Sequence, residues 1–524
     1  MFRHWYDHLT ETYTTSLQDS LADFKWPFIE KSESIVTKAD IAKIGKNEVE
    51  ALQAAIEILY RIQNRSQKDN SGVSDAAVDA DSVNLPMRIM MKPLRRRFKY
   101  HFLKNKSTNN PAKPEWFISQ LTAWAAAHRG FLTEYIQPVY DAVGEPLMAV
   151  MEFGQGLVAM AAEKLEVDLP IVLADDILLA HTIDEIIGFA RDLASSMQYS
   201  RSQPSALAPL TVSPIFGRWL NMERKFAFEK VDSLFMEQQG NGGGSVWESE
   251  VGDILTPRAA ETFLALLLSV TERYKFLPVA NSRLDFLRLQ IELIEDFRLR
   301  LVQLVRAEKE SPLSSNLCPI INTLDHMSSV LATWAETPFF LQLQHQRVNM
   351  AAAVNDERLD VKADGESVAN TDVIDSTVFS ISLEELKYLK LTLVDEVVNA
   401  IFYTVTARSQ RFRTETKWFK MADSGAAGAM AVSSAFCDML QSLAFGLDTA
   451  KRRINVASFQ LLWKQLAARL HTFILGKIVK SICVPIYCII HFAVHPLPIP
   501  TSCPFCPFQL TPSPHLVNPF SLTQ

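Results

Sequence analysis

Between Asp285 and Arg306, six large apolar residues recur at spacings of three and four: Phe286, Leu289, Leu293, Phe297, Leu301 and Leu304. Only a helix brings positions so spaced onto one face. Burying each of these side chains is worth about 1.5–3 kcal/mol. The opposite-charge pairs Arg288–Glu292 and Asp296–Arg300 on the other faces add only a few tenths each. The stripe therefore requires a partner surface, and the chain supplies others like it. Val49, Leu52, Ile56 and Leu59 repeat the pattern, glycine is scarce at 18 residues, and strand-like alternation is rarely sustained. The expected fold class is all-α.

At 524 residues the chain is long enough for roughly three or four domains, with cores that need no disulfide or metal. A net charge of −7 excludes a general nucleic-acid binder. Four of the six cysteines fall after residue 482, leaving Cys318 and Cys437 in the helical body. That usage fits a reducing compartment without a disulfide framework. The opening Met1-Phe2-Arg3-His4-Trp5 lacks the apolar core of a signal peptide. No uninterrupted apolar run of about 18 residues occurs in the body. The expectation is a cytosolic protein that meets membranes through partners.

The pattern divides the chain as follows. Residues 1–63 read as an N-terminal helical segment and 64–84 as a polar linker; 85–240 and 241–353 read as helical bundles. Residues 354–376 are an acidic linker, 377–476 a partial C-terminal bundle, and 477–524 a proline-rich, disordered tail. Pro114 suits the first position of a helix, having no N–H to lose there. Thr256-Pro257 reads as N-cap and first turn, Ser382-Leu383-Glu384-Glu385 as a capping box, and Leu169-Pro170 as a helix break.

Candidate chemistry is thin. Gly154-Gln155-Gly156 mimics a dinucleotide fingerprint, but its surroundings read as helix rather than strand, so helix packing is the expected role. Gly240 to Gly244 lacks the Lys-Ser/Thr of a phosphate loop. His181, Asp184 and Glu185 share a helical turn without a further ligand and read as a solvated face. Cys503 and Cys506, with His491 and His495 upstream, have the wrong spacing for a zinc knuckle. Asp175-Asp176 is an acidic pair without supporting residues. No catalytic, cofactor-binding or metal-binding residue is expected. No small-molecule substrate or cofactor is expected either.

The segment from Arg88 to Lys106 is the exception. Between Ser82 and Pro114 there are nine Lys and Arg and no acidic residue, interleaved with Phe98, Tyr100 and Phe102. Stacking on RNA, contact with anionic lipid, and a helix with core aromatics and ion-paired arginines all fit. The helix reading is favoured, because Phe98 and Phe102 stand four apart on one stripe. Arg95, Arg96, Arg97 and Lys99 are the candidate interaction surface.

Segments in one order resemble the RINT/Tip family of vesicle-tethering subunits. They include Trp26-Pro27-Phe28, Arg97 to Asn109, Lys113 to Trp124, Glu152 to Leu165, Arg218-Trp219-Leu220, Leu284 to Arg300, Phe339 to Gln344, and Phe459 to Leu470. The resemblance spans roughly residues 1–475. It implies an elongated rod of stacked antiparallel helical bundles with no catalytic residues. It also implies a Dsl/NRZ-type tethering complex capturing Golgi-derived COPI vesicles at the endoplasmic reticulum. Other tether subunits and endoplasmic-reticulum SNAREs would be the partners, with only indirect membrane contact. The implied location is cytoplasmic, peripheral at that membrane.

The family's N-terminal coiled coil has no counterpart before the Trp26 segment, and its helix beyond Leu470 gives way to prolines. The expectation is a chain truncated at both ends, with an incompletely packed last bundle. Trp116, Trp124, Phe339 and Phe340 are expected in the core rather than at an interface. The competing function is a checkpoint adaptor or nucleic-acid-binding scaffold using residues 88–106, and the third class is an enzyme with a polar pocket.

Overall fold

A computed structural model describes residues 2–27, 45–69, 83–104, 106–236, 247, 255–307, 312–313, 316–359, 377–414 and 434–479. Among them the fold is all-α, as the periodicity predicts, and no β-strand occurs. The chain divides into two compact units. The first comprises Met1–Glu250, Thr256–Leu304 and His326–Lys387, the second Val251–Leu255, Val305–Asp325 and Tyr388–Gln524.

The first unit opens with α1 (Phe2–Asp23), α2 (Lys46–Asp69) and α3 (Leu85–Phe98). Next come α4 (Pro114–Phe131), α5 (Gln137–Val143), α6 (Ala149–Val172), α7 (Asp176–Ser196) and α8 (Ile215–Met236). The apolar stripe of α2 buries Leu52, Ile56 and Leu59 completely and packs the helix on α1, α3 and α5. This helix runs on to Asp69, beyond the expected start of the linker. Pro114 does occupy the first turn of α4.

Leu169-Pro170 does not break a helix: α6 continues to Val172 with Pro170 inside its last turn. A proline that close to a C-terminus removes one hydrogen bond while the buried Leu169 and Val172 hold the turn in place. Asp175 then caps α7 by accepting from the Ile177 amide at 2.9 Å.

The unit continues with α9 (Arg258–Tyr274) and takes in most of α10 (Ala280–Ala307). On α10 the predicted stripe from Phe286 to Leu301 is fully buried, and only Leu304 is half-exposed. Phe263 stacks on Phe297 at 4.0 Å between centroids, and Phe286 lies 5.4 Å from Trp219. The buried amide of Gln290 is satisfied: it donates to the Leu267 carbonyl and the Thr271 hydroxyl, both at 2.7 Å, and accepts from Tyr274. The charge pattern differs in detail. Arg288 pairs with Asp285 and Glu292 with Arg224, while Asp296 and Arg300 pair as expected. The predicted cap at Thr256 is shifted one residue, since Pro257 stands at the N-cap of α9 without a side-chain bond.

The remaining helices are α11 (Leu317–Ala335), α12 (Pro338–Leu359), α13 (Ser380–Thr414), α14 (Ser434–Arg453) and α15 (Val456–Phe473). The capping box at Ser382 is not used, because α13 already begins at Ser380. Buried Phe379, 5.0 Å from Phe340, fixes the start instead. Within the second unit, Asn322 donates to the Leu255 and Arg453 carbonyls at 2.9 and 2.8 Å and accepts from the Asn455 amide at 2.9 Å. Asn455 in turn caps α15 through the Ser458 amide. The glycine run at 240–244 and the cysteines and histidines of 491–506 lie outside the described residues.

Candidate functional site

The basic segment folds as α3 followed by a π turn, Lys99–Leu103. Its apolar residues face inward: Met87, Ile89, Met90, Met91, Leu94 and Phe98 are buried, as is Phe102 in the turn. Phe98 and Phe102 lie 5.1 Å apart at their centroids, and Phe98 meets Phe117 of α4 edge-on. Two of the three aromatics are thereby unavailable for stacking on bases, which weakens the nucleic-acid reading. Tyr100 alone is exposed, with the Lys106 ammonium 4.5 Å from its ring centre. The hydrogen bond from that ammonium lowers the Tyr100 phenol below its ordinary pKa.

The cations separate by helical angle. Arg88, Lys92, the adjacent Arg95 and Arg96, and Lys99 are spaced one helical turn apart and line one edge of a groove between α1, α3 and α6. Arg97, about 180° around the helix from Arg88, is exposed away from that edge. Three of the four sequence candidates thus share the groove and the fourth does not. Arg95 Nη2 and Lys99 Nζ reach the two oxygens of Glu163 on α6 at 3.0 and 2.7 Å. Burial pushes the Glu163 carboxyl up, but the Lys99 and Arg95 hydrogen bonds outweigh it and hold the pKa below its usual value.

The groove has a volume of about 520 Å³, and Thr14 of α1 closes one side. Ile89, Met91 and Met160 form its apolar floor. Gly156 also lies there, facing the flexible Met91 thioether, and Gly154 nearby packs on Tyr199. Those glycines are helix-packing positions inside α6, as expected, with no preceding strand.

The other candidates are dispersed. His181 meets Glu115 at 3.1 Å and Asp184 pairs with Arg273; both side chains stay partly exposed, on a face that is paired as well as solvated. Asp176 pairs with Arg218 while Asp175 caps α7. Among the described residues no cluster of His, Cys, Asp or Glu could hold a metal ion. Trp124 and Phe340 are buried as expected and Phe339 is half-buried. Trp116 is not in the core: it is 44% exposed, because its neighbours Phe117 and Ile118 take the inward face of α4.

Buried charged groups on α6 escaped the sequence reading. Glu152 on α6 accepts from the Tyr140 hydroxyl and the Asn84 amide, and burial raises its pKa to about 7. Lys164, 1% exposed, donates to Asp168 and Asn109. Each lies in a helical stretch where nothing in the local spacing distinguishes a buried charge from a solvated one.

A sequence model of the RINT-1/TIP-1 family matches residues 85–482. The chain belongs to the RINT-1/TIP-1 family. It is similar to the RINT1-like protein of Drosophila melanogaster, with 26% identity over 481 residues, 91% of this chain and 62% of the fly protein. It is also similar to the protein transport protein tip20 of Schizosaccharomyces pombe, 26% identical over 148 residues, 28% of this chain and 21% of that protein. This family member therefore spans about three fifths of the length of the fly relative. Its fold resembles a crystal structure of the SNARE Sec20 bound to the Dsl1 complex subunit Tip20. The TM-score is 0.59 at 14% identity, covering 91% of this chain and 74% of that one. The RINT-1/TIP-1 match begins at the first residue of α3, so the groove's cationic edge lies inside the family region.

Proposed function

We propose that this chain is a non-enzymatic subunit of a multisubunit tethering complex that captures Golgi-derived COPI vesicles at the endoplasmic reticulum. It works by protein contacts with the other tether subunits and with SNAREs. It resides in the cytoplasm, peripheral to that membrane and attached through its partners.

The observation that carries this reading is membership of the RINT-1/TIP-1 family, joined to a fold like that of Tip20, itself solved in complex with a SNARE. The helices fit work by contact. In the second unit Tyr388, Tyr403 and Phe445 each leave more than 70% of their surface exposed, the kind of aromatic anchor that dominates protein interfaces. Among the described residues no helix is long and apolar enough to cross a membrane.

Affinity capture from a cell extract tests the reading. The immobilised chain is expected to recover other tether subunits and endoplasmic-reticulum SNAREs, in amounts unchanged by nuclease. Recovery of neither class under gentle lysis would remove the tethering assignment.

A further inference from the structure

The groove between α1, α3 and α6 combines an apolar floor with a cationic edge, and among the described residues that line it none is acidic. Arg88, Lys92 and Arg96 on that edge are exposed, while Arg95 and Lys99 are half-buried. We propose that this groove docks an acidic amphipathic helix of a partner protein, with its apolar stripe on the methionine-lined floor and its carboxylates along the cationic edge. This rests on the reading of the chain as a subunit that works by protein contacts.

Three features commit the groove to that occupant. First, the cations recur once per helical turn over about 16 Å, so a second helix with Glu or Asp at the same period meets one positive charge per turn. Second, the floor suits an apolar stripe read at i, i+3, i+4 and i+7. Met91 and Met160 adapt to whichever side chains arrive, because an unbranched thioether repacks at little cost. Third, the edge already holds one carboxylate in the required way, with Glu163 shared between Arg95 and Lys99 at 3.0 and 2.7 Å. A planar lipid surface would meet the exposed cations but leave the recessed apolar floor unfilled.

A labelled peptide of about 18 residues, with leucines at helical spacing flanked by glutamates, tests the assignment by anisotropy on the full chain. Counterparts carry glutamine or lysine in place of glutamate. The glutamate peptide is expected to bind, and the Lys92→Glu/Arg96→Glu variant to bind it about tenfold more weakly. The lysine peptide should restore affinity for that variant. Ala159→Trp, which fills the groove from α6, should abolish binding of every peptide while leaving the helical circular-dichroism signal and thermal midpoint unchanged. Equal binding of the glutamine peptide, or an unaffected double variant, overturns the proposal. So does binding to phosphatidylserine vesicles that the double variant loses while no peptide binds, which would give the surface to a membrane. The extract capture separates this from the tethering reading. A chain that recovers tether subunits yet shows no charge-dependent peptide binding sinks the groove assignment alone.

Discussion

Lys164 Nζ lies 2.6 Å from Asp168 Oδ1 one turn further along α6, and both side chains are almost wholly removed from water. The same ammonium donates to Asn109 Oδ1 at 2.6 Å, tying the loop after the π turn to the helix. Burial raises the Asp168 pKa, against the pull of Lys164. Lys164→Ala strands a buried carboxylate and is expected to destabilise the first unit by about 3–5 kcal/mol. A Lys164→Leu/Asp168→Leu double variant should lose far less. Urea denaturation of the three chains checks the order; a single variant no worse than the double would refute the account.

Glu152 makes stability depend on pH in a defined direction. Its folded pKa of about 7 lies above the ordinary value of 4.5, so between those limits the native state holds more protons than the unfolded one. Its contribution is present in full below about 4.5 and declines as pH rises to 7, by about 3 kcal/mol in all. Glu152→Gln keeps an acceptor for the Asn84 amide and cannot titrate. Its thermal midpoint relative to wild type should therefore climb from pH 5 to pH 7 and level off above.

Trp26 anchors the end of the first helix to the basic segment. Its indole Nε1 donates to the Met90 carbonyl at 2.7 Å, and its ring meets His128 edge-on at 4.7 Å. Trp26→Ala is expected to cost about 3–5 kcal/mol. Trp26→Phe, which keeps most of the packing, should cost about 1–3 kcal/mol for the deprived carbonyl. Hydrogen exchange should register the change first in the amides of α1.

The two glycines of α6 should respond differently to alanine. At Gly154 the new Cβ meets the ring of Tyr199 at 2.8 Å, and that ring is held by a hydrogen bond to the Pro204 carbonyl. Gly154→Ala should destabilise by about 1–3 kcal/mol. At Gly156 the obstacle is the Met91 thioether, which can swing into the groove. Helix propensity then favours alanine by about 1 kcal/mol, so Gly156→Ala should be near neutral. Thermal melts of the pair settle the contrast.

The helices were legible wherever an apolar stripe was long, as from Phe286 to Leu301, because the period survives any detail of packing. Phe98 and Phe102 were legible for the same reason, four apart on one face. Boundaries were not. Pro170 sits too near the end of α6 to stop it, and the start of α13 answers to Phe379 packing on Phe340 rather than to the Ser382 side chain. Trp116 misled because size alone does not place a residue on the inward face. Of the groove, the sequence yielded the cations and nothing else. Thr14, Gly156 and Met160 come from helices far along the chain, and only their assembly turns a basic stretch into an edge with a floor.

With Glu163 held between Arg95 and Lys99, the row of like charges carries a resident counter-ion. A visitor's acid reaching that stretch must displace an incumbent rather than quench a bare charge, so it gains only the difference between two similar bonds. When the visitor departs, the incumbent is tethered within reach and closes the gap at once. Attraction is thereby concentrated on Lys92 and Arg96, and letting go is built into the same few atoms as holding on.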